Sequence, residues 1–173
     1  MNRLPCIFIA TVCLLPLSTA AGEPAAHVHG VASLQVAVDG KNLTLNLESP
    51  LNNLVGFEHT PRTEKQQAAV RAMAERLNQP AGLFIASPAA ACTPLSVKLE
   101  SPVLEPMKPS AGDGHADLDG EFVFRCEHPE ALRALEVGLF QAFPRLKRLD
   151  VQVAGPRGQS AARLSPQQRN IAW

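Results

Sequence analysis

Residues 31–48 constrain the fold more than any other stretch of the chain. From 31 to 38, Ala32, Leu34, Val36 and Val38 fall on one face, and Ser33, Gln35 and Ala37 on the other. From 42 to 48, Leu43, Leu45 and Leu47 alternate with Asn42, Thr44, Asn46 and Glu48. Period-two alternation is the mark of a strand with one buried face, and Asp39-Gly40 between the runs is a two-residue hairpin signal. With Val38 opposite Lys41, Val36 would face Leu43, Leu34 would face Leu45 and Ala32 would face Leu47. Both apolar faces then lie on the same side, as the register demands.

Further strands follow the same rule. Leu83–Ala86 is a short apolar run; Leu95, Val97 and Leu99 alternate, and so do Leu118, Phe122, Phe124 and Cys126. Leu135, Val137 and Leu139 make another set, then Leu149, Val151 and Val153, then a short run near Ala161–Leu164 after the turn Gly155–Gly158. One helix stands out. Thr60 before Pro61 is one candidate cap, and Thr63 with Gln66 forms a capping box. Val70, Met73 and Leu77 make the buried stripe, and Asn78, Pro80 and Gly82 stop the helix. Pro102, Pro106, Pro109, Gly112 and Gly114 mark a flexible loop at about 101–114. The expected fold class is α+β, a largely antiparallel sheet of about seven strands with one main helix packed on it.

The start of the chain is of a different kind. Arg3, an apolar run from Leu4 to Leu17 and the small residues Ser18 to Gly22 read as a secretory signal peptide over 1–21. The run is short for a membrane span and Pro5 and Pro16 interrupt it. Val12 and Pro5 are poor residues to precede a lipidated Cys13 or Cys6. A periplasmic protein with no stable membrane insertion after processing is the expectation. Removing 21 of the 173 residues leaves one domain, 22–173, of 152 residues. The 16 Lys+Arg lose Arg3 and face 16 Asp+Glu, so the processed chain carries no basic excess for nucleic acid. Of the four Cys, Cys92 and Cys126 remain. In an exported chain they most simply form one disulfide; a thiolate metal site is the alternative, which an oxidising compartment disfavours.

Chemistry has to come from the five His. His27 and His29 are two apart, so in an extended segment both imidazoles point the same way. The hairpin phase puts odd positions on the polar face, beside Asn46 and Glu48. His115 and Asp117 share the polar face of a later strand, and Glu58-His59 precedes the helix. Imidazole and carboxylate together suit zinc and related divalent ions. Each also has a plain reading: exposed His near a frayed start, a His capping a turn before Thr60-Pro61, and for His128 a residue of the turn before Pro129. An amino-terminal copper site needs His in third position, whereas cleavage after Ala21 leaves His27 sixth. Catalytic signatures are lacking: the sequence holds no Gly-x-Ser-x-Gly elbow, His-Glu-x-x-His helix or phosphate-binding Gly loop. Asn42-Leu43-Thr44 fits a glycosylation sequon by chance.

Several blocks carry a family resemblance. His27-Val-His-Gly through Asp39-Gly40, Glu48-Ser-Pro-Leu-Asn-Asn through His59-Thr-Pro-Arg-Thr63, and His115-Ala-Asp117 resemble the ZrgA family of bacterial periplasmic zinc-uptake accessory proteins. So do Phe122-Val-Phe-Arg-Cys126, Leu139-Phe-Gln-Ala-Phe-Pro144 and Gly155-Pro-Arg-Gly-Gln159. The resemblance implies an exported, non-enzymatic zinc binder that assists zinc uptake by delivery to an import system, with an ABC-type importer as partner. By position, His27, His29, Glu58, His59, His115 and Asp117 fall in matching blocks and become the candidate metal ligands. One stretch departs from the pattern: many members carry a loop dense in His, Asp and Glu before the His-Ala-Asp strand. Here residues 102–114 hold no His, so few defined sites and near 1:1 stoichiometry are expected. A copper-handling periplasmic domain is the second reading, since imidazole sites bind Cu(II) more tightly than Zn(II), although no Met cluster suits Cu(I). A structural or adaptor domain with no physiological metal is the third.

Overall fold

A computed structural model of the chain describes residues 28–104 and 116–173. The stretch 1–21 expected as a signal peptide, residues 105–114 of the expected loop, His27 and His115 lie outside the described residues. The architecture is α+β, with nine strands in two sheets and one main helix among the described residues.

Strands β1 (Val31–Asp39) and β2 (Asn42–Pro50) form the expected hairpin, with Ala32, Leu34, Val36, Leu43, Leu45 and Leu47 all buried. The register differs by two residues from the sequence expectation: Asp39 pairs with Asn42, Val36 with Leu45 and Leu34 with Leu47. The loop is Gly40-Lys41, and Gly40 alone takes a positive φ, 54°. A two-residue turn with left-handed backbone only at its first position needs glycine there, not second. A shift of two preserves the face of every side chain, so the apolar pattern could not reveal it.

After Pro50 comes a five-residue helix that the periodicity did not signal, α1 (Leu51–Val55), closed by Gly56 in the left-handed region. The main helix, α2 (Glu64–Leu77), starts where Thr63 caps it: Thr63 Oγ1 accepts from Gln66 N at 3.2 Å. The Gln66 side chain reaches back, but to Arg62 N (2.8 Å) rather than to Thr63. Val70, Met73 and Leu77 are its buried stripe.

The second half adds β3 (Phe84–Ala86), β4 (Cys92–Glu100), β5 (Asp117–Cys126), β6 (Ala134–Val137) and the short helix α3 (Leu139–Ala142). Strands β7 (Arg148–Gly155), β8 (Gly158–Leu164) and β9 (Asn170–Ala172) complete the chain. Leu139 does not continue β6 as its alternation suggested. Gly138 ends that strand pressed on the Gly82 carbonyl, which would lie 2.7 Å from any Cβ there, and the chain turns into α3. In β4 the expected common face of Leu95, Val97 and Leu99 is broken. A register shift between Pro94 and Ser96 leaves Leu95 61% exposed while Val97 and Leu99 pack on the core. Such a bulge suits a proline on an edge strand.

The six-stranded sheet runs β4-β5-β2-β1-β7-β8, and the three-stranded one β3-β6-β9. All pairings are antiparallel except β1 with β7, where Val31 pairs with Arg148 and Leu34 with Val151. The sheets meet in one core, in which the Phe84 and Phe122 rings lie 4.9 Å apart. Cys92 and Cys126 are disulfide-bonded across β4 and β5.

This topology gathers chain segments at one end of the large sheet. The end of β2 lies beside the start of β1 on one side and the start of β5 on the other, since Ser33 pairs with Glu48 and Asp117 with Pro50. Both α1 and the residues before β1 are at that end.

Candidate metal centre

At that end of the sheet, His29 and Glu58 meet. His29 Nε2 lies 2.9 Å from Glu58 Oε1, with the imidazole 59% exposed and the carboxylate side chain only 10% exposed. The residues are 29 apart in sequence, and the fold brings them together in three steps. His29 sits in the turn before β1, closed by Val31 N donating to Val28 O at 3.0 Å. The β1–β2 hairpin returns the chain to the same end, where Leu51 N bonds Ala116 O at 2.9 Å and α1 begins. Gly56 then turns it left-handed toward Phe57 and Glu58.

His59 follows directly. Its ring stacks on Phe57, with centroids 5.2 Å apart. Its Nδ1 lies 2.9 Å from the Thr60 carbonyl oxygen. A carbonyl only accepts, so the proton is on Nδ1, and in the neutral ring this tautomer leaves the lone pair on Nε2. This is how a metal-binding imidazole is commonly oriented, through a hydrogen bond from its other nitrogen. Asp117 opens β5 half-buried, and its own carbonyl accepts from Ser101 Oγ at 2.7 Å. His128, the turn residue, lies elsewhere with Glu130 at 3.6 Å.

Among the candidate ligands, then, the described residues join His29 to Glu58, with His59 next in the chain and Asp117 at the same end of the sheet. Among the described residues no three His, Cys, Asp or Glu side chains are grouped as metal ligands. His27 and His115 lie outside the described residues. Tetrahedral zinc with ligands at about 2.0–2.1 Å holds neighbouring donor atoms about 3.3 Å apart. The His29–Glu58 pair would therefore open by about 0.4 Å to admit an ion, zinc replacing the proton shared by the two groups.

Sequence reasoning missed one residue here. Asn53 of α1 is buried, and its side-chain Oδ1 accepts from Gly30 N at 2.6 Å, next to His29. The Asn52-Asn53 pair between apolar residues was the available signal, since a buried amide must find partners.

A profile of the ZrgA family, described as zinc uptake proteins, matches residues 26–173. The chain belongs to the ZrgA family. The match spans both sheets and every candidate ligand, from His27 to Asp117. A search of curated proteins found no match. The family's description names zinc uptake and no enzymatic reaction. No helix among the described residues of this ZrgA-family protein is long and apolar enough to cross a membrane.

A second polar feature lies on the open face of the sheet. Glu48 pairs with Asp119 and Asp119 with Glu100, so three carboxylates form a row across β2, β5 and β4. Burial raises the Asp119 carboxyl above its usual range, and Glu48, Asp117 and Glu100 push it the same way. Lys98 sits 2.6 Å from Glu100 and partly offsets the charge.

Proposed function

We propose that this protein is exported to the periplasm, where it captures zinc and assists its uptake by delivering the ion to an import system, an ABC-type importer. It works by binding rather than by catalysis. The observation that carries this reading is the contact of an exposed imidazole with a largely buried carboxylate, His29 with Glu58 at 2.9 Å. Membership of a zinc-uptake family supports it. An ion on this pair sits where solvent reaches the imidazole, which suits cargo that must be passed on.

His29 and Glu58 supply one nitrogen and one oxygen, and His59 offers its Nε2. His27, His115 and Asp117 are the further ligands of the proposal, and Asp117 opens β5 at the same end of the sheet. Protons compete with zinc for the imidazole and carboxylate donors, so acid favours release of the ion.

Calorimetric titration of the processed chain, residues 22–173, tests this. Zinc is expected to saturate at about one or two equivalents, and His27→Ala with His29→Ala to weaken binding at least about tenfold, the scale of a lost ligand or its support. A flat titration at micromolar zinc would sink the reading. Competition between zinc and copper(II) separates it from copper handling.

A further inference from the structure

Asn53 is only 1% exposed, yet its amide makes no bond that α1 itself requires. Its Oδ1 accepts from Gly30 N at 2.6 Å. Its Nδ2 donates to Val31 O at 2.8 Å and to Ser49 Oγ at 3.2 Å. One side chain thus ties the first residues of β1 and the end of β2 to α1.

The peptide it grips is the one that carries His29. Gly30 N–H, the group bound by Asn53, belongs to the peptide unit whose carbonyl is that of His29. On its other side, the Gly30 carbonyl accepts from Lys147 N (2.8 Å) and Arg148 N (2.9 Å) at the start of β7. From the far end of α1 the chain runs through Gly56, covered by the Arg145 guanidinium, to Glu58 only five residues beyond Asn53. The His29 backbone and the helix that leads to Glu58 are therefore joined through a single buried amide. A donor atom displaced by a few tenths of an ångström matters when the ion must sit about 2 Å from each ligand.

We infer that Asn53 is a positioning residue for the zinc pair, an amide latch that holds His29 and Glu58 at bridging distance before the ion arrives. This rests on the zinc reading above. Asparagine is suited to the task because it offers an acceptor to the Gly30 N–H and donors to Val31 O at once. Leucine has the same branched shape and number of side-chain heavy atoms, is bulkier, and offers neither function. Aspartate keeps the acceptor but presents a second oxygen to the Val31 carbonyl.

The test compares Asn53→Leu, Asn53→Asp and a core control, Met73→Ala, in otherwise intact protein. Zinc affinity is read by competition with a chromogenic chelator, at a temperature where circular dichroism shows each variant fully folded. The visible bands of the cobalt(II)-loaded protein report ligand geometry. Asn53→Leu should weaken zinc at least tenfold and alter the cobalt bands, with Asn53→Asp between it and the wild type. Met73→Ala should lower the melting temperature and leave affinity within twofold. Asn53 variants that melt earlier but bind zinc within twofold, with unchanged cobalt bands, would show a purely structural role and overturn the inference. If Asn53→Leu does not fold, Asn53→Asp alone decides between these outcomes. A wild-type protein that binds no zinc overturns the proposed function, and the latch with it; wild-type binding with unaffected variants overturns the latch alone.

Discussion

Replacing both Cys92 and Cys126 by alanine removes a cross-link between residues 34 apart in sequence. In the chain-entropy picture, closing a loop of about 35 residues in the unfolded state is worth roughly 3–4 kcal/mol. The native state should lose little in comparison. Strands β4 and β5 keep their ladder from Thr93↔Arg125 to Glu100↔Asp119, and Phe122 keeps its contact with Phe84. The buried Cys126 sulfur leaves a small void, for about 1 kcal/mol more. Together these make roughly 4–5 kcal/mol, and at roughly 2–4 °C per kcal/mol for a chain of this size melting should drop by about 8–20 °C. Urea unfolding is the assay, run on the oxidised protein, the reduced protein and the double variant. The midpoint should fall in the last two, and the slope should steepen because the unlinked chain exposes more surface. An oxidised protein with the same midpoint and slope as the double variant would refute the reasoning.

Two further outcomes follow from the described contacts. Thr63→Ala removes the cap of α2 and should cost about 0.5–2 kcal/mol in the same assay, with a loss under about 0.2 kcal/mol counting against the cap. Asp119 has a folded pKa raised above its usual 3.8, so its contribution is fully present below that value and is lost as pH rises through the folded one. Asp119→Asn should therefore stabilise the protein at pH 7 by about 0.2–1 kcal/mol, the range for a like-charge pair across strands, and the gain should vanish near pH 3. A variant less stable than wild type at pH 7 would contradict this.

Much of the fold was legible because burial on one face writes itself as alternation. Leu34, Val36, Leu43 and Leu45 announced their face, and Thr63 with Val70, Met73 and Leu77 announced α2 and its start. Features that leave burial unchanged stayed hidden. The two-residue slip of the hairpin depended on the backbone of Gly40, and the bulge at Leu95 on a proline in an edge strand. Helix α1 is too short for a period, and β9 spans three residues. The pairing of β1 with β7 joins segments more than a hundred residues apart, which no local pattern records.

The site was legible as residue types rather than as partners. Spacing put His29 on a polar face and Glu58 before a helix, but their contact depends on α1 and on the Gly56 turn. Asn53 was missed for the opposite reason: beyond its place between apolar residues, a polar side chain reads as surface unless its hydrogen bonds are known.

A crystal of the processed protein loaded with zinc, examined for anomalous scattering at the zinc edge, tests the central claim most directly. An ion within about 2.0–2.2 Å of His29 Nε2 and a Glu58 carboxylate oxygen is the predicted result, with His27, His59, His115 or Asp117 completing the shell. Zinc found instead on the Glu48–Asp119–Glu100 row, or no ordered zinc at all, would contradict it.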